Sequence, residues 1–529
     1  MEKIPATDQS QWLTERVSAY LNDTYPTFLQ QRVGDPDRIA LVCQKRSHTY
    51  EQLHAAVDAT AQNLVSQFGV SPGDRVMINM ENSDFFVIIY LAVQRAGAIA
   101  VPINPKLVER EISFMLSDAE PVLCVFDDGN KLEAIRPVTT LCAGKASTAA
   151  AIIRTEATDS PLPLVTSDSP ATIFYTSGTT GAPKGVVHTH ETLIAGAFQN
   201  ARGWDYDYSD SITLAVTPLF HVAAHAWFYP VLAHQGTLVI AGFKTEDVFQ
   251  LIERYQVDGM GAVPAMLLMM IRSENRHQYD LRSVRNIRFG ASPMPPDKLR
   301  AVQELFPNAS LNHGMGQTES GGTISVLPGD LAFSKNGSTG FVIPGCEVRI
   351  VDDTGNDVPK GHHGEILAQG PNVMRGYFNL PDATAATLDN GWLHTGDIGY
   401  FDEDNCIWLV DRKKDMILRG GENIYSVEVE NVIMQHSGVE VCAVVGSPDA
   451  VLGEKVCAIV VPRAKPGDHS LLEELVDLCR EQLAYFKVPE DWRMLDDLPR
   501  TATGKVQKAS LRKQVSASSC DPEDTTRKT

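Results

Sequence analysis

Between residues 75 and 126 the chain switches period. Arg75–Asn79 (RVMIN) is a short β-rich run, Ser83–Ala96 places apolar residues at helical spacing, and Pro121–Phe126 is again strand-like. Short β-rich runs thus alternate with a helical pattern. Similar β-rich runs stand at Ala171–Tyr175, Thr213–Thr217, Thr237–Ala241 and Ile287–Phe289, several leading into helix-like segments. The expected fold class is therefore α/β, with largely parallel sheets. From Gly340 the texture changes to shorter strands with turn signals, as in Val348–Val351 followed by Asp352-Asp353-Thr354-Gly355-Asn356. This predicts a β-rich subdomain over about 340–411. Beyond the charged run Asp411-Arg412-Lys413-Lys414-Asp415, Ser426–His436 and Leu471–Leu483 read as helices, and Val439–Gly446 and Lys455–Pro462 as strands. A small α+β domain over 412–515 is expected after a large domain over 1–411. Ser516–Thr529 is almost free of apolar residues and is expected to be a disordered tail.

Composition narrows the class. Of 529 residues, 43% are hydrophobic and 21% charged, which fits a globular protein and excludes a collagen-like or wholly disordered chain. The length suggests several domains. Formal net charge is -20, so general attraction to nucleic acid or to an anionic bilayer is not expected. The nine cysteines contain no Cys-x-x-Cys pair, which fits a reducing compartment. The longest apolar run, Phe85–Val93, is far shorter than the roughly 20 residues of a membrane span. No targeting signal is evident at either end, so the cytoplasm is the expected location.

Candidate chemistry begins at Tyr175-Thr176-Ser177-Gly178-Thr179-Thr180-Gly181-Ala182-Pro183-Lys184-Gly185, which follows a predicted strand and holds three glycines, four hydroxyls after the tyrosine, and one lysine. Glycines let backbone N–H groups close around an oxyanion, hydroxyls add donors, and the lysine adds a full charge. A polyphosphate is the natural guest. The Walker pattern fails, because Lys184 stands between Pro183 and Gly185 rather than before Ser or Thr.

This string resembles the signature loop of the acyl-CoA synthetase family of adenylate-forming enzymes. Other blocks agree in order: Pro218-Leu219-Phe220-His221, Gly316-Gln317-Thr318-Glu319, Gly391-Trp392-Leu393-His394-Thr395-Gly396-Asp397, Asp411-Arg412-Lys413-Lys414-Asp415, Gly420-Gly421-Glu422-Asn423-Ile424-Tyr425 and Pro499-Arg500-Thr501-Ala502-Thr503-Gly504-Lys505. The resemblance runs from about residue 25 to 513. It implies an ATP-dependent acid:CoA ligase that forms an acyl-adenylate, releases pyrophosphate and passes the acyl group to CoA. The alternative is a ligase delivering the adenylate to an amine or to a separate carrier protein.

By the same resemblance, Thr176, Ser177, Gly178, Thr179, Thr180, Gly181 and Lys184 hold the β and γ phosphates. Thr318 and Glu319 act in catalysis, and Glu319 with Thr176 holds Mg²⁺. Met315 lies against adenine, where relatives usually carry an aromatic residue. Asp397 takes the ribose hydroxyls and Arg412 contacts the nucleotide. Lys505 bridges carboxylate and α-phosphate in the transition state, neutralising charge as it grows. Lys414 is the pivot of a mobile C-terminal domain, and Gly420 and Gly421 lie along the pantetheine arm. Phe220, His221, Gly290, Ala291, Ser292 and Gly314 line the acid pocket, with His221 as its gate.

Two local readings qualify these expectations. His221 and His225 are four apart, but Val222 stands where a metalloprotease motif needs Glu, so zinc is disfavoured and His225 reads as a core imidazole. A proline is common in relatives where Ser426 stands, so a looser turn is expected there. No Asp or Glu occurs between Pro218 and Pro230, which disfavours an α-amino acid, and no arginine lies in the pocket segments, which favours a monocarboxylic acid, whether fatty, alicyclic or aryl. Lys508, Arg512 and Lys513 read alone as a solvated basic tail.

Overall fold

The structure is a computed structural model describing residues 9–20, 23–127, 146–156, 161–176, 183–204, 206–290, 294–420, 422–449, 451–463, 470–500 and 506–518. Ser177, Gly178, Thr179, Thr180, Gly181, Ala291, Ser292, Gly421 and Lys505 lie outside the described residues. The chain divides into two compact units: residues 1–349, 367–395 and 405–407, and residues 350–366, 396–404 and 408–529.

The first unit contains two large sheets. A nine-stranded sheet runs Phe341–Val342, Ser325–Leu327, Ser310–Met315, Asn286–Gly290, Gly259–Ala262, Ile212–Ala215, Thr237–Ile240, Ile39–Cys43, Arg46–Thr49, parallel from Ser310–Met315 through Ile39–Cys43. A seven-stranded sheet runs Gly376–Tyr377, Lys184–Thr189, Pro170–Thr176, Ile99–Pro102, Arg75–Asn79, Leu123–Phe126, Ala146–Thr148, parallel from Pro170–Thr176 onward. Strand Arg75–Asn79 and the helix after it are present, but the chain returns first through Ile99–Pro102, a strand the sequence pattern did not mark, and reaches Leu123–Phe126 only after helix Glu109–Ala119; both strands pair parallel with Arg75–Asn79. Ser83 caps helix Asp84–Arg95 by accepting from the Phe86 N–H at 3.1 Å, and Phe86 through Val93 are all buried. That helix is apolar on every side because it is packed on every side.

Each sheet buries both faces, as parallel sheets must. One face of the nine-stranded sheet packs Leu214, Met260, Ile287, Phe289 and Leu311 against helices Thr245–Tyr255, Pro264–Arg272 and Pro296–Leu305. A cluster including Phe86, Ile89, Phe198, Trp227 and Phe228 forms the largest core. Among the described residues, no helix is long and apolar enough to cross a membrane.

The β-rich segment forms a five-stranded sheet, and the division between units passes through its strands Glu347–Val351, Gly364–Gln369 and Trp392–Phe401. In the second unit, Gly453–Pro462 pairs along its length with Val439–Asp449, and helices Ser426–Ile433 and Ser470–Gln482 belong to the core on one face. Leu511 and Val515 of helix Lys508–Ser518 belong to the core on the other. This last helix extends past Ser516, where the polar tail was expected to begin; residues 519–529 lie outside the described ones.

Candidate active site

In the first unit, strands Pro170–Thr176 and Lys184–Thr189 form an antiparallel hairpin whose stem closes at the pair Thr176 and Lys184. The hydroxyl of Thr176 donates to the Lys184 carbonyl at 3.4 Å. The sequence-predicted phosphate loop is therefore carried between two fixed strand ends. Gly185 permits this approach, because a Cβ there would meet Ile173 Cγ2 at 2.8 Å.

Lys184 and Glu319 meet at a residue that the sequence reading missed. Lys184 Nζ stands 4.6 Å from the centre of the Tyr377 ring, and the Tyr377 hydroxyl donates to Glu319 Oε1 at 2.9 Å. Burial, reinforced by the Glu319 carboxylate, pushes the Tyr377 phenol up, so it stays a donor.

Thr318–Ser320 is a single 3₁₀ turn held from three directions. His188 donates from Nε2 to the Thr318 carbonyl at 2.8 Å, the Met374 N–H reaches the Glu319 carbonyl at 2.8 Å, and Asn372 Nδ2 reaches the Ser320 carbonyl at 2.7 Å. Gly316 is required at the entrance, since a Cβ would lie 1.8 Å from the Gly322 carbonyl oxygen. With its backbone fixed and only Oε1 engaged by a described residue, Glu319 keeps Oε2 for a ligand. One open carboxylate oxygen beside the Thr318 hydroxyl fits a hard cation that completes its shell with water and phosphate oxygens.

Met315 is buried at the end of strand Ser310–Met315. Gly290 and Gly314 are register partners on adjacent strands, and a Cβ on Gly290 would meet the Gly314 carbonyl oxygen at 2.6 Å. Phe220 is half-buried, and His221 Nδ1 accepts from the Ala223 N–H at 3.2 Å. Desolvation lowers the His221 pKa to about 4, leaving a neutral ring with its proton on Nε2. His225 is a core imidazole: it stacks on Tyr229 at 4.4 Å and its Nε2 is 2.7 Å from the Tyr90 hydroxyl.

The second unit carries the other group of predicted residues. Asp397 is buried and its Oδ1 lies 2.8 Å from Arg412 Nε. The Thr-Gly-Asp segment lies inside strand Trp392–Phe401; Gly396 adopts φ +69° there, a conformation glycine takes without strain. The charged run ends strand Ile407–Arg412 and continues as a turn in which Lys413 and Lys414 are exposed. Asp411 is buried, Lys413 Nζ pairs with Glu365 at 3.1 Å, and Asp415 pairs with Arg512 at 3.0 Å. Lys414 forms no ion pair with a described residue, and partial desolvation lowers its pKa. Gly420 sits at φ +60°.

Ser426 tightens its turn rather than loosening it. Its N–H and its hydroxyl both donate to Asp411 Oδ2, the hydroxyl at 2.6 Å. Lys508 in turn donates to Ser426 Oγ at 2.7 Å and pairs with Glu430 Oε1 at 2.7 Å. A proline could supply neither donor. Lys508 and Arg512 are thus parts of a buried network and an ion pair, not a solvated tail. The flanks of the Lys505 segment are described: Arg500 and Val506 form an antiparallel bridge, and the Gln507 N–H reaches the Pro499 carbonyl at 2.8 Å.

The model for the AMP-binding enzyme family matches residues 28–378, and that for the AMP-binding enzyme C-terminal domain matches 428–505. The chain belongs to the AMP-binding enzyme family. It is 35% identical over 478 residues to the long-chain-fatty-acid–CoA ligase FadD13 of Mycobacterium tuberculosis, covering 89% of this chain and 93% of that one. It is 34% identical over 493 residues to the fatty acid–[acyl-carrier-protein] ligase ScoC of Streptomyces coeruleorubidus, covering 90% and 93%. The solved o-succinylbenzoate CoA synthetase MenE of Bacillus subtilis, in complex with its acyl-adenylate intermediate, superposes with a TM-score of 0.82 at 32% identity, covering 92% of this chain and 98% of that one. The protein is an AMP-forming ligase that uses ATP, magnesium and CoA to convert a carboxylic acid to its thioester through an acyl-adenylate. The α/β fold of a large N-terminal part and a smaller C-terminal part agrees with the solved relatives.

Proposed function

We propose that this ligase activates a monocarboxylic acid in the cytoplasm and that its two half-reactions divide between the residues as follows. The loop from Thr176 to Lys184 holds the β and γ phosphates. Glu319, with Thr318 and Thr176, holds Mg²⁺, which when bound offsets phosphate charge. Met315 contacts adenine, Asp397 the ribose and Arg412 the nucleotide. Lys505 stands between the two anions as the carboxylate attacks the α-phosphate. Catalysis comes from positioning and charge neutralisation, with no protein nucleophile. The 412–515 domain then turns about Lys414, Gly420 and Gly421 pass the pantetheine arm, and neutral His221 gates the acid pocket lined by Phe220, Gly290, Ala291, Ser292 and Gly314.

The observation that carries this reading is the meeting of Lys184 and Glu319 at Tyr377, a cation and a carboxylate brought together at the closed end of the loop-bearing hairpin. Charges of both signs, one with a free oxygen, suit a metal–polyphosphate complex. The seven described cysteines are all free and buried, which supports a reducing location.

The half-reactions test the assignment. Lys505→Ala should lose acid-dependent pyrophosphate–ATP exchange by roughly 100- to 1000-fold, while thioester formation from supplied acyl-adenylate persists. Equal loss of both would remove Lys505 from the adenylation step. Running the exchange across an acid panel, with CoA, amines or a carrier protein as acceptor, separates the thioester reading from amide or carrier ligation.

A further inference from the structure

The Pro218–His221 segment hangs from a residue that belongs to the other large sheet. Asn82 stands in the short loop between strand Arg75–Asn79 of the seven-stranded sheet and helix Asp84–Arg95. Its Nδ2 donates to the Thr217 carbonyl at 2.9 Å and to the Ala241 carbonyl at 3.1 Å, and its Oδ1 accepts from the Leu219 N–H at 2.9 Å. Two of these partners are carbonyl oxygens and the third is an N–H, so only one orientation of the amide satisfies all three. Both donor hydrogens are then spent on backbone.

Thr217 and Ala241 lie just past the ends of the adjacent parallel strands Ile212–Ala215 and Thr237–Ile240 of the nine-stranded sheet. Asn82 likewise lies past the end of Arg75–Asn79. One side chain therefore fastens together the carboxyl ends of strands from both sheets, the edge at which parallel sheets bind their ligands. The loop that carries it is fixed in turn. The Glu81 N–H donates to Asp127 Oδ2 at 2.7 Å, Ser83 caps the helix, and the buried Asp84 carboxylate pairs with Arg46.

From Asn82 the restraint passes to His221 within two residues. Leu219 is buried in the largest core. The His221 N–H reaches the Pro218 carbonyl at 3.2 Å, the Ala224 N–H reaches the His221 carbonyl at 2.9 Å, and the Ala223 N–H holds His221 Nδ1. The turn is closed on itself and moves as a unit, so its attachment at Thr217 and Leu219 sets where Phe220 and His221 stand.

We propose that Asn82 is the positioning residue of the acid gate: acting through the backbone of Thr217 and Leu219, it holds Phe220 and His221 over the acyl-adenylate and keeps water from that intermediate until the thiol arrives. This rests on the reading that His221 gates the acid pocket. A loosened gate has two consequences. The acid is held less well, and water can replace the thiol as nucleophile. The water oxygen then bonds to the acyl carbon, the bond from that carbon to the AMP phosphate oxygen breaks, and the water hydrogens go to the carboxylic acid and the phosphate. ATP is spent and no thioester forms.

The test measures AMP release and thioester formation side by side, with CoA and whichever of octanoate, palmitate, benzoate and cyclohexanecarboxylate is turned over best. Asn82→Ala removes all three bonds. Its kcat/KM for the acid should fall about 10- to 100-fold, its KM for ATP should stay within about twofold, and AMP release should exceed thioester formation, where the two match in the unaltered protein. Asn82→Asp keeps the acceptor for Leu219 but sets a carboxylate against two carbonyl oxygens, and should uncouple the two products at least as much. Asn82→Ser can replace one bond, should fall between, and serves as the second variant if Asn82→Ala does not fold. Glu81→Gln, which alters the neighbouring side chain but not its N–H, should change nothing. Matched AMP and thioester in the Asn82 variants, or a rise in the KM for ATP as large as that for the acid, overturns the proposal. His221→Ala separates it from the reading beneath it: if that variant uncouples the products and Asn82→Ala does not, only the role of Asn82 falls, and if His221→Ala leaves them matched, the gate itself falls.

Discussion

In the first unit the buried imidazoles of His188, His190 and His225 are held neutral, with pKa values lowered by desolvation to about 4, 3 and 3. In the second unit, half-buried Lys508 and Glu430 form an ion pair, and Ser426 links Lys508 to the buried Asp411 carboxylate. Burial alone would lower the Lys508 pKa, but the Glu430 and Asp411 carboxylates outweigh it and hold the ammonium charged. The rings of the first unit stay uncharged, His188 and His190 bonded to backbone groups and His225 to the Tyr90 hydroxyl, while the buried Asp84 carboxylate is paired with Arg46. The second unit satisfies its interior by pairing.

The second unit offers the larger effect to break. Lys508→Met leaves Glu430 half-buried and unpaired and releases Ser426; breaking a fully buried pair costs about 3–5 kcal/mol, and here, with water reaching both partners, about 1–3 kcal/mol is expected. Thermal or urea unfolding should show a loss of that size. Adding Glu430→Gln should recover a large share, because the amide keeps an acceptor for the Val444 N–H, now at 2.7 Å, without a bare charge. If the single variant unfolds like the unaltered chain, the network is a bystander.

The neutral imidazoles predict a pH dependence of opposite origin. Their folded pKa values lie below the unfolded value of about 6.5, so between those limits the unfolded chain binds more protons than the folded one. Stability is therefore fully present above about pH 6.5 and is lost on acidification, by up to about 2 kcal/mol per ring on going from pH 7 to 5. His190 makes the reason concrete: its Nδ1 accepts the Tyr25 N–H at 3.0 Å and cannot do so once protonated. Unfolding measured at both pH values should show the drop. His225→Phe, which keeps a ring against Tyr229, should reduce it, and an unchanged pH slope would place the dependence elsewhere.

How much of this was legible in the chain depends on the distance over which each feature is encoded. Strand Arg75–Asn79 has its expected bounds, and helix Asp84–Arg95 lies within its expected limits, because apolar period and a serine cap act locally. Lys184 and Glu319 were legible as members of dense local strings. The Thr-Gly-Asp segment carries no local signal for a strand, because glycine permits both a turn and the left-handed kink found inside the strand. Tyr377, His188 and the partnership of Ser426 with Asp411 carry no local signal; packing brings them to their targets.

The smallest effect sharpens the comparison at the reactive end of the first unit. Tyr377 serves two ligands by different means, its ring facing the Lys184 ammonium and its hydroxyl reaching the Glu319 carboxylate. Tyr377→Phe removes only the second. A hydrogen bond to a charged group contributes about 1–3 kcal/mol in general, and here Glu319 is half-buried, so water can take over part of it. The expected result is a rise of roughly 3- to 10-fold in the KM for ATP, with a smaller change in kcat. Tyr377→Leu, which also removes the ring, should raise the KM by several fold more, since an ammonium over an aromatic face contributes about 0.5–1 kcal/mol at an exposed site. Steady-state kinetics at varied ATP and Mg²⁺ separate the two. Equal effects of Phe and Leu would mean the ring contact with Lys184 does not hold the loop-bearing hairpin, and no effect of either would mean that Lys184 and Glu319 are positioned independently of each other.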